Sequence, residues 1–231
     1  SSVIKSSVGL SHVGRVREKN EDSFFVSDEL GFYMVADGMG GHLGGQTASR
    51  LAVETVSLTI SERFKELLEG IKTEDLESCP VPNVLSDAVR RACELIYHSS
   101  QEDTALQGMG TTTTALLLLG GCAFVAHVGD SRCYLLRGDK LLQISEDHSL
   151  VNEQIKAGLL TREQAKASRH KNIITRSVGF EPDVAVDTFA MPVRPGDSFL
   201  LCSDGCSNLV NDEELAEALG NENVTSVPAS L

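Results

Sequence analysis

Three apolar segments of the chain each end in an aspartate beside a glycine: FYMVA before Asp37-Gly38, CAFVAHV before Gly129-Asp130, and SFLLCS before Asp204-Gly205. A further acidic pair, Glu21-Asp22, immediately precedes the strand-like SFFV. Strand ends from one sheet system can converge at one edge, and a glycine beside the carboxylate lets backbone approach a ligand closely. Carboxylates gathered in this way repel one another unless cations neutralise them. Carboxylate, carbonyl and water oxygens are the donors that Mg²⁺ and Mn²⁺ prefer, so the pattern points to a divalent-cation site. The competing reading is that Asp-Gly marks turns. One such pair carries no more than that; three at strand ends, with an acidic pair nearby, favour the cation.

The elements that must position these residues follow from periodicity. VIKSSVGLS, DSFFVSD and GFYMVAD are short and rich in β-branched or aromatic residues, and read as strands. From about Gln46 to Leu68, Ala48, Leu51, Ala52, Thr55, Val56, Ile60, Phe64 and Leu67 recur at spacings of three and four, which predicts one long amphipathic helix. A second helix should bury Leu85, Ala88, Val89, Ala92, Leu95 and Ile96. TTTTALLLLG, CAFVAHVGD, SRCYLLRGDKLLQIS, DVAVDTFAM and DSFLLCSD then read as strands, with a hairpin turning around Gly138-Asp139. A polar helical insert, roughly His148 to Lys171, interrupts them, and NDEELAEALG reads as a last short helix. This order predicts an α+β layered architecture, two packed sheets with helices outside, in one domain over residues 1–231.

With 20 Lys and Arg against 33 Asp and Glu, the chain of 231 residues carries a net charge of −13. That balance argues against nucleic acid and anionic membrane as partners, because binding phosphates needs neutralising cations. Hydrophobic content of 41% and charged content of 23% are those of a globular chain. No apolar run approaches the roughly 20 residues that span a bilayer. The opening SSVIKSSVGLSHVG lacks the apolar stretch of a secretory signal, so a soluble cytoplasmic protein is expected. The six cysteines form no CxxC pair and no zinc-ligand spacing, and no disulfide framework is expected.

In their order and spacing, GRVREKNEDSF, VADGMGGHLGG, GMGTT, HVGDSRCYLLR, IITRSVG and LLCSDG resemble the metal-dependent protein phosphatases of the 2C type, in their bacterial form. The resemblance runs from about Val8 to Leu219. It implies a four-layer α-β-β-α sandwich of two mainly antiparallel sheets flanked by helices. It also implies hydrolysis of phosphoserine and phosphothreonine in proteins by a metal-bridging hydroxide, with two central Mn²⁺ or Mg²⁺ ions and a third, looser one. By the same resemblance Asp37 bridges the central metals, Gly38 supplies its carbonyl to the second metal, and Glu21 holds that metal directly or through water. Asp22 would hydrogen-bond metal-bound water. Asp204 would bind the first metal and share the third with Asp130. Arg17 falls at a phosphate-binding arginine and His42 at the candidate general acid. The insert from His148 to Lys171 corresponds to a flap near the cleft that influences substrate access. Phosphorylated proteins, and a Ser/Thr kinase with its targets, are the expected partners of a monomer.

Blander readings stand beside these. Arg17 lies in the basic RVREK, which could be a solvated face, and His42 could be an idle loop histidine. His127, on an apolar strand, is expected to be a satisfied core histidine; His148 and His170 receive no role. The resembling family carries one more aspartate in a final Asp-Asn-Ile/Val-Thr strand, about 35 to 40 residues after its Ser-Asp-Gly. Here 27 residues follow Asp204 and that strand is not found; Glu222-Asn223-Val224-Thr225 imitates it too early. The alternative is therefore a catalytically weak phosphatase-like binding or scaffold module that lacks one metal ligand. A nucleotide site in GMGGHLGG is disfavoured, since the Gly-Lys-Ser/Thr end of a P-loop is missing.

Overall fold

The structure, a computed structural model, describes residues 20–71, 76, 78–203 and 213–214, with only the backbone at residue 42. The expected first strand, Arg17, Asp204 and nearly all of the C-terminal helix lie outside the described residues. Nine strands and five α-helices are described, in the order β1 (Asp22–Ser27), β2 (Phe32–Met39), α1 (His42–Glu62), α2 (Phe64–Gly70), α3 (Val81–Glu102), β3 (Gly110–Thr111), β4 (Thr113–Leu119), β5 (Cys122–Val128), β6 (Arg132–Arg137), β7 (Lys140–Gln143), α4 (Leu150–Lys156), α5 (Arg162–Lys166), β8 (Asp187–Pro192) and β9 (Ser198–Cys202). All pairings are antiparallel. One sheet runs β1-β2-β4-β5-β8, with β3 beside the end of β2, and the other runs β7-β6-β9.

Side-chain alternation along the strands builds the layers. In β2, β4 and β5 one parity (Phe32, Met34, Ala36; Ala115, Leu117; Phe124, Ala126, Val128) joins α1 and α3 residues such as Ala52, Val56, Ile60, Leu85, Val89 and Ile96 in a helix-on-sheet core. The other parity (Tyr33, Leu116, Leu118, Ala123, Val125) meets Cys133, Phe199 and Leu201 of the second sheet. The helices and both sheets of the expected α+β sandwich are therefore present, as three layers among the described residues.

Three expectations are corrected locally. The long helix starts earlier, at His42, and breaks at Arg63 into α1 and α2. Leu95 is 43% exposed, although expected in the core. The buried line on α3 runs through Leu85, Val89, Ala92, Cys93, Ile96 and Ser100, and Leu95 stands one residue, about 100° of helix, away from Ile96. The strand expected over DVAVDTFAM pairs only from Asp187 onward. The hairpin forms as expected, with Arg137 opposite Lys140 and Gly138 at φ 64° in its turn.

Candidate active site

Carboxylates meet at the end of the sandwich where β1 begins and β2 finishes. The β1–β2 register sets Asp22 directly opposite Asp37, so their Cβ atoms are about 5 Å apart on one face of the sheet. Asp37 sits within its strand rather than after it, because β3 pairs Gly38 with Thr111 and Met39 with Gly110 and so prolongs β2. Asp37 is buried. Ser203, the residue before Asp204, donates its hydroxyl to Asp22 Oδ2 at 3.1 Å, tying the end of β9 in the second sheet to the start of β1 in the first.

Two glycines allow this crowding. A Cβ on Gly38 would lie 1.9 Å from the Gly45 carbonyl oxygen and 2.8 Å from that of Glu21. One on Gly45 would lie 2.6 Å from Glu21 Oε2, so the first turn of α1 is laid directly on the end of β2 with the Glu21 side chain beside it. The Gly38 amide donates to the Glu21 carbonyl at 3.1 Å, and buried Ser49 of α1 donates to the same oxygen at 2.7 Å. Glu21 is thereby fixed through its backbone, leaving its carboxylate to be aimed separately.

Thr112, within the GMGTT string, joins the two Asp-Gly ends that the structure describes. Its hydroxyl oxygen accepts from the Asp37 amide at 2.9 Å and lies 2.6 Å from Ser131 Oγ, next to Asp130. Its own amide donates to the Asp37 carbonyl at 2.9 Å. Gly129, at φ 108°, presses on it so closely that a Cβ there would fall 2.7 Å from Thr112 Cγ2. No local pattern marks Thr112 within this string, since a lone hydroxyl among four consecutive threonines carries no signal of its own.

His148 is a second residue that the sequence did not assign. The Gly129 amide donates to its Nδ1 at 2.9 Å, its amide donates to the Gly129 carbonyl at 2.8 Å, and its Nε2 lies 2.7 Å from Asp187 Oδ2. Arg176 of the IITRSVG string reaches the other oxygen of Asp187 at 2.8 Å. His148 and Thr175 thus hold the base of the insert against the turn that carries Asp130, through the Thr175 amide bond to the His148 carbonyl at 2.9 Å. The adjacent Val178 exchanges two backbone hydrogen bonds with Thr111, at 2.8 and 3.0 Å. His127 is the core histidine expected. It is fully buried, bonded to Thr114 Oγ1 and to the Glu146 carbonyl at 2.9 Å each, and burial, with the neighbouring His148 ring, depresses its pKa from 6.5 to about 4.

Of the expected site residues, Glu21, Asp22, Asp37, Gly38 and Asp130 lie along this edge. His42 opens α1, and its side chain, like Arg17 and Asp204, lies outside what the structure describes. Among the described residues no three His, Cys, Asp or Glu side chains gather in a geometry able to hold a metal ion. The donors present nevertheless fit one. They are all oxygen, and Asp22 Oδ1 is a buried carboxylate oxygen with no hydrogen-bond partner among the described residues. An unsatisfied polar atom of that kind costs about 1–3 kcal/mol, and more when charged, which a cation or its water shell would recover. The five described cysteines are free, and burial pushes the Cys133 thiol up to about 12, so it is an inert packing group.

Known proteins carry the same pattern. Residues 8–227 match the family model described as Protein phosphatase 2C. The serine/threonine phosphatase stp of Listeria innocua is 37% identical over 221 residues, covering 94% of this chain and 84% of that protein. The crystal structure of the Mycobacterium tuberculosis serine/threonine phosphatase PstP/Ppp matches with a TM-score of 0.81 at 34% identity, covering 93% of this chain and 85% of that one. The catalytic domain of the serine/threonine protein phosphatase PstP, solved in complex with two manganese ions, matches with a TM-score of 0.74 at 35% identity over 90% of this chain and 81% of that one. With the family model spanning nearly the whole sequence and the paired carboxylates at the edge of the sandwich, the chain belongs to the protein phosphatase 2C family and is a metal-dependent protein phosphatase.

Proposed function

We propose that the chain acts as a single catalytic domain on phosphoserine and phosphothreonine in proteins, with Asp22 and Asp37 at the centre of its ion site. The observation that carries this reading is their direct opposition across β1–β2, with one Asp22 oxygen buried and without a hydrogen-bond partner among the described residues. Asp37, the Gly38 carbonyl, Glu21 and Asp204 would hold two Mn²⁺ or Mg²⁺ ions, and Asp130 with Asp204 a third. When bound, such ions polarise the phosphoryl oxygens and acidify water enough to make it a nucleophile at neutral pH.

The chain's own residues do the rest. Asp22 orients the attacking water by accepting a hydrogen bond from it, while Ser203 fixes the other carboxylate oxygen. Arg17 binds two phosphate oxygens through its planar guanidinium, which a lysine would not reproduce. His42, at the start of α1, donates a proton to the departing serine or threonine oxygen. No covalent phosphoenzyme is needed. Partners on this reading are phosphoproteins and a Ser/Thr kinase whose products the enzyme reverses, in the cytoplasm and as a monomer. No helix among the described residues is long and apolar enough to cross a membrane.

The division of labour is tested by comparing a phosphothreonine peptide with an aryl phosphate. Arg17→Ala should chiefly raise KM, by roughly 10- to 150-fold, the worth of a charge-assisted contact of about 1.5–3 kcal/mol. His42→Ala should chiefly lower kcat on the peptide, by about 10²–10⁴-fold, and much less on the aryl phosphate, whose leaving group needs no proton. Equal losses on both substrates would remove His42 from the acid role.

A further inference from the structure

Cationic charge is segregated in this acidic chain. Between Glu153 and Glu181 the only acid is Glu163, against six Lys and Arg, so residues 154–180 carry +5 and the remainder −18. Two of the six are neutralised locally, Lys156 by Glu146 and Arg176 by Asp187. Arg162, Lys166, Arg169 and Lys171 are exposed and make no ion pair among the described residues.

The surface that presents them is built. α5 begins at a capping box in which Thr161 Oγ1 accepts from the Gln164 amide at 3.1 Å and Gln164 Oε1 accepts from the Thr161 amide at 2.8 Å. Ala165 is buried and seats the helix, while Arg162 and Lys166 project from it four residues apart. Like charges at that spacing cost a helix a few tenths of a kcal/mol, about 0.2–0.5, unless an anion lies between them. The insert is also tethered at the active edge. Its two ends meet at the Ser149–Ile174 bridge, and His148 pins that base to Gly129, one residue from Asp130.

An acidic segment approaching this protein meets a net formal charge of −18 outside residues 154–180 and +5 within them. We propose that residues 154–180 are a docking surface for acidic residues flanking the phosphorylated serine or threonine of a protein substrate. This rests on the phosphatase reading above and names the substrate class that the same site receives. Nucleic acid is the other polyanion that such a surface would attract, and the overall charge disfavours it.

The test uses three phosphothreonine peptides of equal length, flanked by Glu, by Gln or by Lys, on the wild type and on the quadruple variant R162Q/K166Q/R169Q/K171Q. The wild type should prefer the Glu-flanked over the Gln-flanked peptide by roughly tenfold in kcat/KM, as expected for several exposed ion pairs. The preference should collapse in 1 M salt, where screening acts within about 3 Å. It should fall toward unity in the quadruple variant and survive in R162K/R169K, which retains the charge. Fluorescence anisotropy with the dephosphorylated peptides should give the same order without any turnover. A preference for Glu in binding that is lost in the quadruple variant, with no turnover of any peptide, would support the surface and sink the phosphatase reading. Turnover of all peptides without a preference for Glu, or a preference that the quadruple variant keeps, overturns the proposal. So does a single-stranded oligonucleotide that binds the insert as tightly as the Glu-flanked peptide.

Discussion

Asp22 and Asp37 face each other across two neighbouring antiparallel strands, each held by a group from another part of the fold: Ser203 Oγ on the Asp22 carboxylate at 3.1 Å, and Thr112 Oγ1 on the Asp37 amide at 2.9 Å. Two carboxylates set side by side at a sheet end lower stability unless a cation lies between them. On the proposed reading, the arrangement trades metal-free stability for ion binding.

That trade predicts opposite effects with and without metal. In excess chelator, Asp37→Asn should melt at the same temperature as the wild type or higher, because a like-charge contact is gone. Addition of Mn²⁺ should stabilise the wild type, by about 2.7 kcal/mol at a hundredfold excess over Kd, and the variant far less. Differential scanning calorimetry reads both. An Asp37→Asn protein that gains as much from Mn²⁺ as the wild type would remove Asp37 from the ligand set.

Thr112 couples the Asp37 end of β2 to the Ser131 side of Asp130. Thr112→Val keeps the shape but leaves the Asp37 amide and the Ser131 hydroxyl without this partner, at a cost of about 1–3 kcal/mol in urea unfolding. Mn²⁺ titration should show weakened binding as well, and Thr112→Ser should restore both. A valine variant with undisturbed Mn²⁺ affinity would reduce Thr112 to a packing residue.

Glycine positions around the site should differ sharply. Gly38→Ala drives a methyl to 1.9 Å from the Gly45 carbonyl, so α1 must move off β2 and carry the Glu21 environment with it. A loss of several kcal/mol, or failure to fold, is expected. Gly41→Ala meets nothing within 4 Å among the described residues and bears the strain of φ 86° with ψ 163°, a region essentially confined to glycine, at about 1–3 kcal/mol. Purified yields and melting temperatures of the two variants check the contrast; equal effects would contradict the close approach at Gly38.

His127 gives a pH signature. Its folded pKa is about 4, below the ordinary 6.5, so between those values the unfolded chain binds a proton that the folded one refuses. Stability from this residue is complete above pH 6.5 and is lost as the pH falls toward 4, a change of roughly 3 kcal/mol. The difference in urea stability between wild type and His127→Gln should therefore shrink from pH 7 to pH 4.5. A difference independent of pH would mean that His127 is not held neutral.

The layered fold was legible because the strands are short runs rich in apolar, β-branched and aromatic residues, while apolar spacings of three and four mark the helices. Which parity of each strand faces the helices was not legible, since β4 and β5 are buried on both faces. Boundaries were less legible. The break at Arg63 falls inside an unbroken apolar stripe, and Gly110–Thr111 prolongs β2 through a partner more than 70 residues away, which no local pattern announces. Asp37 and Asp130 stood out because carboxylates beside glycines at strand ends are chemically conspicuous, and Glu21 and Asp22 because they form an acidic pair just before a strand. Thr112 and His148 did not, since their roles arise from hydrogen bonds to Asp37, Ser131, Gly129 and Asp187 that exist only once the sheets assemble. Leu95 shows the converse error, an apolar residue near a buried stripe that the fold leaves in water.

The central claim, that Asp37 belongs to an ion site that drives phosphoryl hydrolysis with Asp22 orienting the water, is tested most directly by phosphate release from a phosphothreonine peptide. The measurement compares added Mn²⁺, excess chelator, and chelator followed by Mn²⁺, on the wild type and on Asp37→Asn. The account predicts release with Mn²⁺, none with chelator, recovery on re-addition, and a nearly silent Asp37→Asn protein at every step. Undiminished release in excess chelator, or no release at saturating Mn²⁺, would contradict it; the second result would favour a phosphoprotein-binding module over an enzyme.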